Sequence, residues 1–262
     1  SLRRALSIKP DSVEAQRGMI MLDLDAGRVA SAVATARNVQ RQFPRNPVGY
    51  LLEGDCHIVG KAWKEAAEAY RNGIKQTGAN ELAMGLHATL LAQNVRGEAD
   101  KFAASWLKEH PEDQRFRLYL AESATARGDF PMAIRHYRTL LDAQPDNPAL
   151  LNNLAWVMAQ NKDPKALELA EKAYRLAPDQ ANIADTLGAL LVTQGDLDRG
   201  IELLRAARSL APDNPTIQFN LASALVKAGN TAEAKSMLIE LNMLGNRFSK
   251  SREVSELLQG IR

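Results

Sequence analysis

From Pro145 to Pro178 the chain reads PDNPALLNNLAWVMAQNKDPKALELAEKAYRLAP, and the fold is decided there. Leu154, Ala155 and Met158 stand at i, i+1 and i+4, the spacing of one helical face. Asp163-Pro164 then supplies a cap and a proline suited to a first helical turn, and a second helix begins near the small residue Ala166. Pro178 stops that helix, because the residue before a proline is pushed out of the helical region. Working outward, prolines recur at Pro10, Pro44, Pro111, Pro145, Pro178 and Pro212, and Thr77-Gly78 fills the one gap. Counted through residue 78, the steps are 34, 34, 33, 34, 33 and 34 residues. A fixed period of this size means stacked supersecondary units, none of which buries its own apolar face without a neighbour.

The same offsets recur in the other units. Leu120-Ala121 with Ala124, Leu187-Gly188 with Leu191, and Leu221-Ala222 with Leu225 repeat the first-helix face. Turns follow at Gly128-Asp129, Gly195-Asp196 and Gly229-Asn230. A small residue with a larger one four later then marks the second helix: Ala66 and Tyr70, Ala133 and Tyr137, Gly200 and Leu204, Ala234 and Leu238. Two units are one residue short, with 8 residues from Leu91 to Ala99 and from Met158 to Ala166 against 9 from Leu191 to Gly200. A helix that loses a residue rotates its face by about 100°, so the missing residue is expected in the turn between the two helices.

Bulk composition agrees with such an array. Aromatic residues make up 5% and apolar residues 45%, as expected where helices approach through small side chains. Lys and Arg number 33 against 31 Asp and Glu, a net +2 with both signs spread along the chain, which argues against binding by phosphate neutralisation. The lone cysteine, Cys56, has no partner for an internal disulfide or a zinc knuckle. No stretch approaches the roughly 20 apolar residues of a membrane span, and no signal region opens the chain. Ser1 to Pro10 reads as the end of a helix, so the chain is expected to be cut from a longer array.

These residues resemble the tetratricopeptide repeat, whose pattern of Leu-Gly, Tyr, Ala-x3-Phe and Pro at a 34-residue period is followed along essentially the whole chain. The match is stronger in units four to seven. Unit one has Met19-Ile20 and Asp23, and unit two Glu53-Gly54 and His57, where Leu-Gly and an aromatic are usual. The resemblance implies an all-α solenoid of antiparallel helix pairs wound as a right-handed superhelix. Its expected divisions are the end of a preceding repeat at 1–12, repeats at 13–46, 47–80, 81–113, 114–147, 148–180, 181–214 and 215–247, and a capping helix at 248–262. In that last segment Val254, Leu257, Leu258 and Ile261 lie at i, i+3, i+4 and i+7, an amphipathic face able to cover the final unit. A finer resemblance, carried by Leu151-Asn152-Asn153-Leu154-Ala155-Trp156, Asp185-Thr186-Leu187-Gly188 and Phe248 to Leu258, is to the C-terminal part of PEP-CTERM system TPR-repeat lipoproteins. It implies a bacterial, lipid-anchored protein of the periplasm or outer membrane, associated with exopolysaccharide and exosortase loci.

Catalytic and cofactor chemistry finds no support. His57, His87, His110 and His136 are scattered, with no HExxH, no CxxC and no pair at metal-ligand spacing, and they read as structural histidines. Cys56 beside His57 is not a nucleophile and base, since adjacent helical side chains diverge by about 100°; it reads as a small buried hydrophobe. The glycines sit at helix-turn positions and form no phosphate loop.

The family's geometry implies a concave groove lined by first helices. In the middle units Arg115, Leu118, Glu122, Asn152, Trp156 and Gln160 face it, and in the later units Asn182, Asp185, Phe219, Ser223 and Lys227. Earlier units place Arg17, Met21, Leu51 and Asp55 there. Trp156 and Phe219 are large rings where the helix turns away from its own core; each either anchors a ligand or packs on the neighbouring unit. Asn153 and Asn220 occupy the offset of a carboxylate-clamp asparagine, yet the accompanying Lys and Arg are missing, so they are expected to complete hydrogen bonds between helices. The implied function is a non-catalytic scaffold holding a protein or peptide segment in the groove, in exopolysaccharide assembly or export. A structural spacer or self-associating array is the alternative, and sugar stacking on the two rings a third reading.

Overall fold

The computed structural model describes Arg4 and residues 7–261, and every regular element among them is helical. Residues 1–3, 5 and 6 of the expected N-terminal half unit lie outside the described residues, as does Arg262 of the expected cap. The helices are α1 (Val13–Asp25), α2 (Val29–Gln42), α3 (Val48–Val59), α4 (Trp63–Thr77), α5 (Asn80–Ala92), α6 (Arg96–Glu109) and α7 (Gln114–Ala126). They continue as α8 (Phe130–Ala143), α9 (Pro148–Gln160), α10 (Ala166–Leu176), α11 (Ala181–Gln194), α12 (Leu197–Leu210), α13 (Pro215–Lys227) and α14 (Thr231–Asn242). A 3-10 turn at Gly245–Arg247 leads into α15 (Ser251–Gly260). The fold class is thus an all-α helical repeat. It forms two compact units, residues 1–119 and 120–262. Within the first, α1 packs on α2 and α3, and α3 on α4 and α5; within the second, α9 packs on α10 and α11, and α11 on α12 and α13.

One backbone device makes every turn inside a helix pair. Gly27, Lys61, Asn94, Gly128, Lys162, Gly195 and Gly229 all have φ between 57° and 95°, at intervals of 33 or 34 residues. In each, two amides reach back to the ending helix. The Gly195 N–H donates to the Val192 carbonyl and the Asp196 N–H to that of Leu191; Lys61 and Ala62 repeat this onto Ile58 and His57. This left-handed helix stop satisfies two carbonyls that would otherwise lack donors.

These turns correct the expected site of the missing residue in the third unit and keep it between the two helices in the fifth. In the third unit Val95 donates to Leu90, as Asp196 does to Leu191, so Leu90 and not Leu91 is the counterpart of Leu191, and the turn is complete. The residue is missing upstream, where Gly78 ends α4 with φ +65° and only Gly78-Ala79 separate α4 from α5. In the fifth unit Lys162 holds its place, and the loss falls after it. Ala166 there donates to the Asp163 carbonyl across a tight turn, and Asp163 accepts from the Lys165 amide. Pro164 consequently precedes α10 and is not inside its first turn.

Junctions between pairs follow from the prolines. Phe43, His110, Gln144, Ala177 and Ala211, each before a ladder proline, have φ from −129° to −147° and ψ from 65° to 71°. These angles lie outside the helical region, which a following proline disfavours for the residue before it. Asn147 and Asn214 then cap the next helix by accepting from the amides two and three residues on, with Pro148 and Pro215 in the first helical position.

The cores sit between successive helices and draw on small residues. Gly188 of α11 and Gly200 of α12 face each other: a Cβ on Gly188 would lie 2.8 Å from Leu204 Cγ and 2.9 Å from the Gly200 carbonyl. At the chain's end Val254 is fully buried, and Leu257, Leu258 and Ile261 pack on the cluster of Leu238, Leu241 and Phe248. Where the first two units depart from the pattern, the buried acids are paired: Asp23 with Arg28 at 2.7 Å and Ser31 at 2.6 Å, Glu53 with Arg37 at 2.7 Å and Gln40 at 2.6 Å.

Two glycine substitutions separate close approach from turn geometry. Gly195→Ala meets no atom within 4 Å and is expected to cost about 1 kcal/mol from its left-handed backbone alone. Gly188→Ala forces two backbones apart, and its cost of about 2–3 kcal/mol is expected to exceed the helix-propensity gain of about 1 kcal/mol. Urea unfolding reads both costs; a Gly188→Ala midpoint at or above the parent's would contradict the close approach of the two helices.

Candidate functional site

A cavity of about 400 Å³ opens on the first-helix face of the second unit, between α7, α9 and α11. Glu122, Asn152, Trp156, Asn182 and Asp185, all expected on the groove face, line it together. A second cavity of about 190 Å³ adjoins along α9, α11 and α13, and shares Trp156, Asp185 and Thr186 with the first while adding Gln160 and Asn220. Trp156 therefore stands between the two. It is 42% exposed, and Phe130 of α8 meets its ring at 6.2 Å and 78°.

Phe219 behaves differently. Phe248 covers it at 6.0 Å and Lys250 Nζ lies 4.7 Å above its ring, leaving it 9% exposed. The anchor role suggested for this ring is thereby corrected: the terminal segment occupies the space a ligand would need. Ser223 is half-buried, and exposed Lys227 donates from Nζ to the Val192 carbonyl at 2.6 Å. In the first unit Arg115 is exposed and Leu118 half-buried on α7; Arg17 and Met21 are exposed on α1, and Leu51 is half-buried on α3. Exposed Asp55 accepts from the Tyr70 hydroxyl at 2.7 Å.

The polar groups of the cavity are unevenly satisfied. Asn220 Nδ2 donates to both Asp185 oxygens, at 3.0 and 2.9 Å, and Lys250 Nζ lies 3.5 Å from Asn220 Oδ1. Asn153 is hydrogen-bonded to Tyr137, which also meets Thr125. Both asparagines thus join neighbouring helices. Asn152 is only 5% exposed, yet its Oδ1 has no hydrogen-bond partner. Burial pushes the Asp185 carboxyl from 3.8 up to about 6, and the bonds from Asn220 and the charge of Lys250 offset only part of that rise.

Cys56, His87 and His110 are packed against neighbouring side chains. Cys56 is fully buried, and burial, followed by the charges of Asp55 and Glu53, pushes its thiol up to about 11. A thiol in that state is a poor nucleophile. His87 is buried edge-on against Phe116 and Tyr119, with Nδ1 3.0 Å from the Tyr119 hydroxyl; His110 stacks on Trp106 at 4.3 Å. Among the described residues no three His, Cys, Asp or Glu side chains converge, and no helix is long and apolar enough to cross a membrane. Missing from the sequence reading were Tyr137, Thr125, Val157 and Thr186 as cavity walls. Tyr137 carries a signal, a hydroxyl-bearing ring where the repeat pattern has Phe, but it lies on a second helix.

Comparison with known proteins agrees with this architecture. Two models described as tetratricopeptide repeat match, one over residues 17–80, 98–148 and 121–181, the other over 191–247. The chain belongs to the tetratricopeptide repeat family. It is 32% identical over 93 residues to a TPR repeat-containing protein of Pseudomonas aeruginosa, covering 35% of this chain and 16% of that protein. It is 30% identical over 137 residues to the photosystem I assembly protein Ycf3 of Cyanophora paradoxa, covering 46% of this chain and 72% of that one. With cellulose synthase operon protein C of Salmonella typhimurium it shares 28% over 153 residues, 55% of this chain and 13% of the relative. Among solved structures, a chain of the APC/C hetero-tetramer Cut9–Hcn1 superposes with a TM-score of 0.61 at 15% identity, over 99% of this chain and 51% of that one. The C-terminal part of a TPR repeat-containing protein from Cytophaga hutchinsonii gives 0.59 at 12% identity, over 90% and 98%. Those two likenesses are of fold.

The raised Asp185 carboxyl has a consequence for stability. Between pH 4 and 6 the native chain holds a proton there that the unfolded chain has released, so this residue's contribution falls as pH rises through that window. Asp185→Asn removes the dependence. Its stability relative to the parent is expected to rise by on the order of 2 kcal/mol from pH 4 to pH 7, as read by urea unfolding at each pH; a constant difference would refute the assignment.

Proposed function

We propose that the chain is a non-catalytic protein-binding scaffold that takes a segment of a partner on the concave face of its first helices, with Trp156 as anchor. The carrying observation is the half-exposed Trp156 ring, braced by Phe130 between two cavities, where a well-supported aromatic gains most from being covered. Tetratricopeptide repeats generally mediate protein–protein interaction, and a stack of helix pairs offers a long surface at little ordering cost, since its helices are already rigid. In this reading the repeats run as the proline ladder divides them, 13–46 through 215–247, with 248–262 as the cap. The groove residues beyond the cavities, Arg115, Leu118, Ser223 and Lys227 among them, would set register. Likeness to cellulose synthase operon protein C, together with the resemblance to PEP-CTERM lipoproteins, supports a place in exopolysaccharide assembly or export at a bacterial envelope.

The test is selection of binding peptides from a displayed random library against the whole chain, followed by titration of the selected peptides. Trp156→Ala is expected to leave the helical circular dichroism intact and to weaken groove peptides about tenfold, or 1.4 kcal/mol. Peptides that bind both proteins equally would remove Trp156 as anchor.

A further inference from the structure

Resting on the scaffold reading, we propose that the cavity between Glu122, Asn152, Trp156 and Asp185 receives the guanidinium of an arginine carried by the bound segment. Four observations carry this. First, the Asn152 amide oxygen is buried in the cavity wall without a donor, although nearly every buried acceptor in a folded protein has one. A turn of the Asn152 side chain about its own bonds would bring that oxygen to the cavity surface, where an incoming N–H group would supply it. Second, the charged side chains lining the cavity are Glu122 and Asp185, and none of the described residues lining it is basic. The cation whose charge acts on Asp185 is Lys250, which reaches it by way of Asn220 and is engaged with the Phe219 ring. Third, Trp156 presents a half-exposed indole beside these acceptors, and indole is the strongest cation–π surface among side chains. Fourth, an opening of about 400 Å³ leaves room for a guanidinium and its stem.

Arginine fits this set better than lysine. Its planar fork directs several N–H donors at separated acceptors, stacks on an aromatic face and sheds water more readily than an ammonium group. Asp185 already accepts twice from Asn220, yet each carboxylate oxygen retains a further lone pair for a third donor. A partner's C-terminal carboxylate would instead meet two acids, so this cavity selects the sign opposite to a carboxylate clamp.

The probe is N-acetyl-arginine amide, followed through the Trp156 indole N–H resonance, which is assigned by its loss in Trp156→Phe. A saturable shift with a Kd on the order of 10 mM or lower is expected, with N-acetyl-citrulline amide, the uncharged isostere, at least about tenfold weaker. Glu122→Gln, at an exposed position that leaves the core untouched, should weaken the arginine probe about threefold, and Asp185→Asn about tenfold. Equal response to the two amides, or none to either, would overturn the proposal. The selected groove peptides distinguish its failure from that of the scaffold reading. If they require Trp156 but keep their affinity when arginine is replaced by citrulline, the arginine site falls and the scaffold stands. If the amide binds and no peptide depends on Trp156, the scaffold reading alone falls.

Discussion

Each helix pair of this chain depends on its neighbours to dry its apolar faces, and the remaining features follow from meeting that dependence at a constant spacing. The last core shows it: one buried cluster takes Leu204 from α12, Leu221 and Leu225 from α13, Leu238 and Leu241 from α14, and Val254 from α15. Burying a leucine contributes about 2 kcal/mol, while ordering each residue's backbone costs about 1–2 kcal/mol. A pair limited to its own contacts does not recover that cost, so successive pairs must meet in register. Register requires turns that do not drift. Seven left-handed residues, with φ from 57° to 95°, and five pre-proline residues, with φ from −129° to −147° and ψ from 65° to 71°, provide them.

How much of this the sequence discloses depends on whether the special backbone position is held by a residue with one meaning. A proline has one, and the ladder gave the period and the helix ends. Glycine at 128, 195 and 229 is nearly as clear. Lys61 and Lys162 adopt the same left-handed conformation with nothing in their side chains to announce it, because the two amide-to-carbonyl bonds of the stop outweigh the strain of a single residue; Asn94 is of a residue type that enters this region more readily. The misplaced deletion in the third unit has a related cause. Leu90 and Leu91 are both apolar, so periodicity alone cannot choose the one that faces the core, and Gly78 replaces a proline junction by a shorter turn with a different backbone.

The candidate site was legible where it depends on the first helices alone. Glu122, Asn152, Trp156, Asn182 and Asp185 lie at repeating offsets, and the structure brings them to one cavity. What the offsets do not carry is contact from outside the first-helix row. Tyr137 enters from a second helix, and Phe219 is withdrawn because Phe248 and Lys250 of the terminal segment settle over it. Both are consequences of side-chain size at particular positions, and a 34-residue period averages such detail away.

The chain treats its inward-facing acids in two ways. Asp23 and Glu53, placed where the repeat pattern favours apolar residues, are each met by an arginine at 2.7 Å, so neither charge is buried unpaired. Asp185 is half-buried between helices, yet the group that touches it is the neutral amide of Asn220, and its carboxyl rises to about 6. The incompletely neutralised acid and the undonated Asn152 oxygen line the same cavity, beside the half-exposed Trp156. An acid with no cation against it and a buried amide oxygen with no donor would each be a liability if the fold were their only purpose, since an arginine or a serine could have been placed beside them as at Asp23. Their convergence on an open face puts the unmet hydrogen-bonding demand where a partner can supply it.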